Sequence, residues 1–331
     1  MSTALAAPTR RLALPIGAWR LLVAVAVVAG LAVFPYLDVP LYYVRFLSSV
    51  FLYITLAQSW NIIGGYTGYV SFGHVTFFGI GAYVSALLFR DFRVSPLIAV
   101  FPAGVVAAAF GMLVGYPTLR LRGPYFGIAT LALSLVTMLV VANVPFTNGG
   151  EGINVRGALP FLRVALEQAF YLSYLALALA TFATTLWLEH SKFGFGLRAI
   201  RDDQDVALSV GVNATRLKVL AFGLSSFFAG AAGALYAHQA SFVSPGDVFT
   251  LSISFKSLVY AVIGGTSTVL GPVLGATFME VFNTLLTISP LGTAQVDRIV
   301  FGIVLVVVVL AAPSGMVGLL TQVWRAARRR F

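Results

Sequence analysis

The sequence has no cysteine and few charged residues, and these two absences exclude several classes of protein. None of the 331 residues is a cysteine, which excludes a disulfide, a thiolate metal site and a cysteine nucleophile. Charged residues make up 10% of the chain, whereas soluble domains carry about a quarter. A soluble protein needs a charged surface that this composition does not supply. The alternation over about ten residues that is typical of membrane strands is also missing.

Long apolar stretches dominate what is present. Hydrophobic residues make up 59% of the chain and its mean hydropathy is +0.94, and several runs reach the roughly 20 residues that cross a bilayer as a helix. We therefore predict an all-α, polytopic integral membrane bundle of about 8–10 transmembrane helices. The 32 glycines and 14 prolines predict close helix packing and broken or re-entrant segments.

The apolar runs divide the chain into a tail at residues 1–15, a transmembrane domain at residues 16–313 and a basic tail at residues 314–331. The first run could be a cleaved signal peptide, but its length and the many runs after it favour a retained span. With both termini in the cytoplasm, most of the basic residues fall in cytoplasmic segments, as expected for a protein of the bacterial inner membrane. The net charge of +10 is then explained by topology and requires no nucleic-acid partner.

Two glycine pairs divide apolar runs in a similar way. The sequence IIGG at residues 62–65 matches VIGG at residues 262–265, and small polar residues follow each pair. Paired, glycine-interrupted segments are typical of transporters with internal repeats, although glycine pairs also simply let helices approach closely. Topology requires residues 257–288 to cross the membrane an even number of times, either as two crossings or as a re-entrant pair.

The longest polar segment, residues 189–218, separates two apolar runs. A solvated segment of this size between two spans is predicted to dock a partner outside the bilayer. The alternative is an ordinary solvated loop.

Six ordered stretches identify a resemblance to a known family. They are WNIIGGYTGYVSFGHVTFFGIGAYVSALL, GPYFGIATLALS, TNGGEGI, SKFGFGLRAIRDDQDVALSVGVN, FFAGAAGALYA and IGGTSTVLGPVLGA. Together they resemble the LivM-type permease subunit of branched-chain amino acid ABC transporters. The resemblance implies ATP-binding subunits on the cytoplasmic face, a second permease of the LivH type as a heterodimer partner, and a periplasmic solute-binding protein. It leaves open whether the solute is a branched-chain amino acid, another amino acid, urea or a small organic acid.

The same resemblance implies a short coupling helix at residues 205–211. Asp205 stands for the family's acidic residue, Ala207 and Gly211 match its small residues, and Leu208 replaces another. Gly211 is expected to end the helix. Three neighbours are expected to form ion pairs around the docking surface: Arg201, Asp202 and Asp203.

The chain has no G-x-x-x-x-G-K-[ST] phosphate loop. We therefore expect no cofactor or metal bound by this chain, no enzyme activity of its own, and ATP hydrolysis by the partner subunits. The three histidines form no HExxH motif or acyl-transfer arrangement that would favour a membrane enzyme.

Polar residues and glycine breaks within apolar runs are candidates for the translocation pathway, because polar groups are unfavourable in lipid. The candidates are Gln58, Asn61, Gly64, Gly65, His74, Gly264, Gly265 and Glu280. His74 is also explained as a hydrogen-bonding residue between helices, and Glu280 as a structural residue. An alternative function is an ion-coupled secondary transporter in which Glu280 or His74 binds the proton.

Overall fold

The computed structural model describes residues 18–155 and 163–288, together with residue 302 and residues 315–318. The chain divides into two compact units, residues 1–40 and residues 41–331. In the first unit, the apolar helix α1 (Ala18–Val33) is followed by a short 3₁₀ turn, Phe34–Tyr36. Most of the two predicted tails, and the last apolar run from residue 299 to residue 312, lie outside the described residues.

The second unit is built from helices. Their bounds are α2 Leu41–Thr67, α3 His74–Phe92, α4 Pro96–Thr118, α5 Pro124–Asn143, α6 Arg163–His190, α7 Lys192–Asp202, α8 Gln204–Ser209, α9 Ala214–Ala240, α10 Pro245–Val248, α11 Leu251–Gly264 and α12 Gly271–Ile288. Two 3₁₀ turns, Pro145–Thr147 and Gly149–Glu151, precede a strand pair. The strands β1 (Ile153–Asn154) and β2 (Phe242–Val243) are antiparallel, with Ile153 opposite Val243.

Seven helical segments of the described chain are long and apolar enough to cross a membrane. They correspond to α2, α3, α4, α5, α6 from Leu166 onward, α9, and α10 with α11. The prediction of an all-α, multi-pass membrane bundle is therefore confirmed.

The helices α2 and α9 form the centre of the second unit. In their most apolar 18-residue windows, 78% of α2 and 72% of α9 is buried, compared with 28% for α4 and for α5. Small residues make this packing possible, because the absence of a side chain lets backbones touch. A side chain on Gly81 of α3 would overlap the carbonyl group of Gly230 of α9, and one on Gly233 would overlap that of Phe78.

The two glycine pairs differ in structure, which corrects the prediction that both interrupt a helix. The helix α2 continues through Gly64 and Gly65 to Thr67, and the non-helical stretch is residues 68–73, which we call the first break. In contrast, α11 ends at Gly264, and Gly265 has a φ of 115°. Residues 265–270 between α11 and α12 form the second break. Gly64 leaves room for the indole ring of Trp60, which lies one turn earlier in the same helix.

The helices α11 and α12 run antiparallel on either side of the second break. Gly264 lies against the carbonyl of Gly271, and Gly275 lies against the carbonyl of Tyr260. The 18 residues of α12 extend about 27 Å at 1.5 Å per residue, close to the thickness of the hydrocarbon core. In this region, α10 with α11 forms one of the seven segments of the described chain that are long and apolar enough to cross a membrane.

The contact between Gly264 and Gly271 predicts that Gly264→Ala lowers stability. The added methyl group would overlap backbone, and overpacking of this kind typically costs about 1–3 kcal/mol. A matched control is Gly30→Ala in α1, where a methyl group meets nothing within 4 Å and improved helix propensity should stabilise by about 0.5–1 kcal/mol. Thermal unfolding in detergent, followed by tryptophan fluorescence, measures both changes. Equal unfolding temperatures for wild type and Gly264→Ala would contradict the close packing.

Candidate functional site

The polar segment at residues 189–218 folds into two short helices and the first turn of a third. A polar side chain begins each helix by accepting a hydrogen bond from the backbone. Ser191 Oγ accepts from the Gly194 amide at 3.0 Å, Asp203 Oδ1 from the Asp205 amide at 2.8 Å, and Asn213 Oδ1 from the Arg216 amide at 3.0 Å. These caps give α7, α8 and α9 fixed starting points, so the segment is an ordered surface. We call the end of the bundle that carries it the α7–α8 end.

The short helix α8 buries Ala207, while the apolar side chains on either side of Ala207 in the sequence are exposed. Ala207 packs with Ile200 of α7 and Ala214 of α9 in a small buried cluster. Val206, Leu208 and Val210 are 59%, 47% and 72% exposed, respectively. The small residue that the sequence suggested for a docking face therefore points into the protein. The three larger apolar residues are the ones available to a partner.

Gly211 lies just beyond the end of α8, as the sequence predicted. Its φ is +87°, a left-handed conformation that glycine adopts without strain. Its amide donates to the Leu208 carbonyl at 3.0 Å, and the Val212 amide donates to the Ala207 carbonyl at 3.0 Å. Gly211 thus turns the chain from α8 towards α9.

The charged residues expected to form ion pairs around a docking surface have different roles. Asp203 caps α8. Asp205 pairs with Arg122, at 2.8 Å between Oδ1 and Nη2. Hydrogen bonding to Arg122, together with its positive charge, lowers the pKa of Asp205. Both partners are well exposed, so the pair adds little to stability. Asp202 lies at the exposed C-terminal end of α7.

Arg201 is exposed, and its guanidinium bonds to residues of the bundle. Its Nη1 donates to the Gly65 carbonyl at 3.0 Å and also to the Ser267 hydroxyl group. The last carbonyl groups of a helix have no partner within the helix, so the end of α2 offers an acceptor that a nearby guanidinium can use. No motif near Arg201 or Gly65 indicates this contact.

Lys218, which sequence reasoning did not select, is the most connected buried cation among the described residues. It is 3% exposed, and its Nζ donates to the Leu119 carbonyl at 2.7 Å, the Tyr69 hydroxyl at 2.8 Å and Gln204 Oε1 at 3.0 Å. The Tyr69 hydroxyl in turn donates to Gln204 Oε1 at 2.9 Å, and burial raises the pKa of this phenol. Lys218 therefore joins the end of α4, the first break and α8. The sequence feature that could have drawn attention to Lys218 is its place in the second turn of α9, after the capping residue Asn213.

Several predicted pathway residues meet at the two breaks. Asn61 Nδ2 donates to the Thr268 carbonyl at 3.1 Å, and Asn61 Oδ1 accepts from the Ser267 amide at 2.9 Å. Gln58 Nε2 donates to the Val269 carbonyl at 2.7 Å. The structure thus brings Gln58, Asn61 and Gly65 against the second break, which Gly264 and Gly265 begin.

His74 and Glu280 lie apart from this meeting point and bond to other side chains. His74 Nε2 is 2.8 Å from Ser225 Oγ, and Ser225 Oγ donates to the Ser59 carbonyl at 2.7 Å. Glu280 Oε1 accepts a hydrogen bond from the Tyr260 hydroxyl at 2.7 Å. These contacts join neighbouring helices and favour the structural interpretation of both residues. Ser225 and Tyr260 carried no distinguishing signal in the sequence.

A groove of about 430 Å³ adjoins α8, between α7 and the start of α9. Its lining combines apolar residues with two cations: Lys192, Phe193, Gly196, Val212, Asn213, Arg216, Leu217 and Leu220. Across the described residues, no group of three histidine, aspartate or glutamate side chains is arranged to hold a metal ion.

Comparison with known proteins agrees with this architecture. Residues 42–309 match the family model described as branched-chain amino acid transport system / permease component. This chain belongs to that permease family. No solved structure gave a significant match.

Curated relatives of this permease include proteins named LivM and LivH. The high-affinity branched-chain amino acid transport system permease proteins LivM of Salmonella typhimurium and Escherichia coli K12 are each 30% identical over 291 residues, covering 80% of this chain and 67% of the relative. The LivH protein of Salmonella typhimurium is 26% identical over 305 residues, covering 83% of this chain and 96% of the relative. The resemblance to LivM-type permeases is thereby confirmed.

The contacts of Lys218 predict that Lys218→Met destabilises the protein. The change removes three hydrogen bonds of a buried cation and leaves their acceptors unsatisfied, which should cost about 2–4 kcal/mol. Lys192→Met is the control, because Lys192 is exposed on α7 and surface changes usually stay within about 0.5 kcal/mol. Thermal unfolding of the purified variants tests the difference. Similar unfolding temperatures for the two would show that the Lys218 contacts contribute nothing.

Proposed function

We propose that this permease is the transmembrane subunit of an ATP-driven importer. In this proposal it forms half of the translocation pathway for branched-chain or related amino acids, and separate ATP-binding subunits dock on α8. The observation that carries the proposal is the exposure of Val206 and Val210, which are four residues apart and so lie on one side of the capped segment between two spans, with Leu208 exposed beside them. Apolar side chains outside the bilayer and exposed to this extent are typical of a protein interface.

The way α8 is held supports a role in transmitting force. Its inner side is packed through Ala207, its start is capped by Asp203, and Gln204 is bonded to the buried Lys218. A docking element fixed in this way moves as one body with its neighbours, so a displacement imposed by a partner is passed on to the bundle. A freely moving loop would absorb the same displacement.

The orientation follows from the partner. ATP-binding subunits work in the cytoplasm, so the α7–α8 end faces the cytoplasm of a bacterial inner membrane, as the distribution of basic residues also indicates. The strand β1 follows α5 in the chain and β2 follows α9, so the two strands pair beyond the C-terminal ends of these helices. The α7–α8 end lies at the N-terminal ends of the same helices. We place contact with a periplasmic solute-binding protein at the side of the two strands.

A second permease of the LivH type completes the pathway in this proposal. The relatives named LivM and LivH are permease proteins of the same kind of transport system. The faces of α4 and α5 that are not buried within this chain are available for lipid and for such a partner. ATP hydrolysis is assigned to the docked subunits, because the sequence contains no phosphate loop.

The docking surface predicts that Val206→Asp together with Val210→Asp releases the ATP-binding subunits. Two carboxylates placed in an apolar contact would be desolvated without partners, and a loss of about tenfold or more in co-purification is expected. The measurement is a mild-detergent pull-down of the tagged chain from native membranes, with mass spectrometry of the bound proteins and a parallel assay of leucine uptake.

Gly150→Asp is the control for charge, because Gly150 is exposed near β1 and has open space around it. The Gly150→Asp variant should co-purify with the ATP-binding subunits at the wild-type level. If the double variant also keeps both the subunits and uptake, α8 is not the docking surface. If wild-type uptake continues without ATP but collapses with the proton gradient, the ion-coupled alternative replaces the proposed function.

A further inference from the structure

Arg201 lies where the two breaks meet. One nitrogen of its guanidinium donates to the Gly65 carbonyl at 3.0 Å and to the Ser267 hydroxyl. Its aliphatic stem packs on Gly68 at the start of the first break, where a methyl group on that glycine would be 3.2 Å from Arg201 Cγ. A single side chain from α7 thus contacts the end of α2, the first break and the second break.

The second break is held in an unfavourable backbone conformation. Ser267 has a φ of +63°, which is uncommon for a residue with a side chain. Such a conformation persists only where surrounding contacts determine it. Three contacts surround Ser267. Its amide donates to Asn61 Oδ1 at 2.9 Å and its hydroxyl donates to the Gly65 carbonyl. The same hydroxyl accepts a hydrogen bond from Arg201. Because Arg201 bonds both Ser267 and Gly65, its removal weakens the attachment of the break to α2.

Arg201 is also connected closely to the exposed apolar surface of α8. The helix α7 ends at Asp202 and α8 begins at Gln204, so one residue separates them. Ile200, adjacent to Arg201, packs against Ala207 of α8. A displacement of α8 is therefore carried to Arg201 by the backbone and by side-chain packing.

We propose that Arg201 is a positioning residue that transmits movement of α8 to the second break, and so controls opening of the pathway at the α7–α8 end. The inference rests on the proposed function, in which a partner moves α8. When α8 is displaced, the guanidinium withdraws from Ser267 and Gly65, and the strained break relaxes away from Asn61. The break then separates from α2 at the point where the two glycine segments meet.

Arg198 provides a matched control on the same helix. Its Nη2 donates to the Glu189 carbonyl at 2.7 Å, and its guanidinium lies 4.7 Å from the centre of the Phe195 ring. It is an arginine of α7 bonded to a backbone carbonyl, like Arg201, but its acceptor belongs to the end of α6. Loss of a charge from α7, or general loosening of α7, would affect both positions equally.

The first experiment measures the break directly and needs no partner subunit. The chain contains no cysteine, so Thr266→Cys places the single thiol in the second break, where Thr266 is partly exposed. In native membranes with a water-soluble maleimide, Arg201→Met should raise the labelling rate about tenfold, because local opening exposes the break. Arg198→Met should leave the rate within about twofold, and Arg201→Lys, which keeps a donor, should restore most of the protection.

The second experiment measures transmission in the assembled transporter. ATP with vanadate should change Thr266→Cys labelling in the wild-type background and in Arg198→Met, but leave it constant in Arg201→Met. Leucine uptake per ATP hydrolysed should fall about tenfold in Arg201→Met while the ATP-binding subunits remain bound. Equal behaviour of Arg201→Met and Arg198→Met in labelling and in uptake would overturn the inference.

The two proposals fail separately. If the wild-type chain recruits no ATP-binding subunit and its uptake needs no ATP, the proposed function fails, whatever the labelling shows. If wild-type uptake is ATP-driven and Arg201→Met leaves the nucleotide response of the thiol intact, only the role of Arg201 fails.

Discussion

A backbone carbonyl group that is buried and has no helical partner needs a donor from the chain itself, because leaving it unpaired away from water costs free energy. This requirement explains the placement of the long polar side chains near the α7–α8 end. Each donates to a carbonyl group at a helix end or break. The pairs are Arg201 with Gly65, Lys218 with Leu119, Arg198 with Glu189, Gln58 with Val269, and Asn61 with Thr268. Breaks in the helices are thereby tolerated. The side chains that bond the free carbonyl groups also join one element to another, and we call these hydrogen bonds joints.

These joints decide where the bundle is rigid and where it can change. The helices α3, α4 and α9 touch closely at glycine residues, and close-packed contacts of this kind do not deform gradually. The second break, in contrast, is attached to α2 by a few hydrogen bonds and includes a strained residue, Ser267. Movement is therefore most easily accommodated at the break. Under the proposed function, this break adjoins the docking segment through Arg201 of α7.

Composition and motif order were sufficient to predict the class of protein and the family. The caps at Ser191, Asp203 and Asn213 follow from residue type and spacing, and so does the turn at Gly211. Those features are local, because a few consecutive residues determine them. The orientation of Ala207 could not be predicted, since the facing of a six-residue helix depends on which neighbours bury it.

Contacts between distant parts of the chain were also beyond sequence reasoning. Arg201 and Gly65 are 136 positions apart, and nothing in either local sequence specifies the other. The prediction that both glycine pairs interrupt a helix was wrong for a related reason. Gly64 and Gly65 remain helical because α2 is buried by its neighbours over most of its length, and packing outweighs the weak helix propensity of glycine. Gly264 has the same local sequence, but α11 ends there, with Gly265 at a φ of 115°. The difference between the two glycine pairs is therefore a product of tertiary packing, and it leaves the second break bonded to α2 through Gln58 and Asn61.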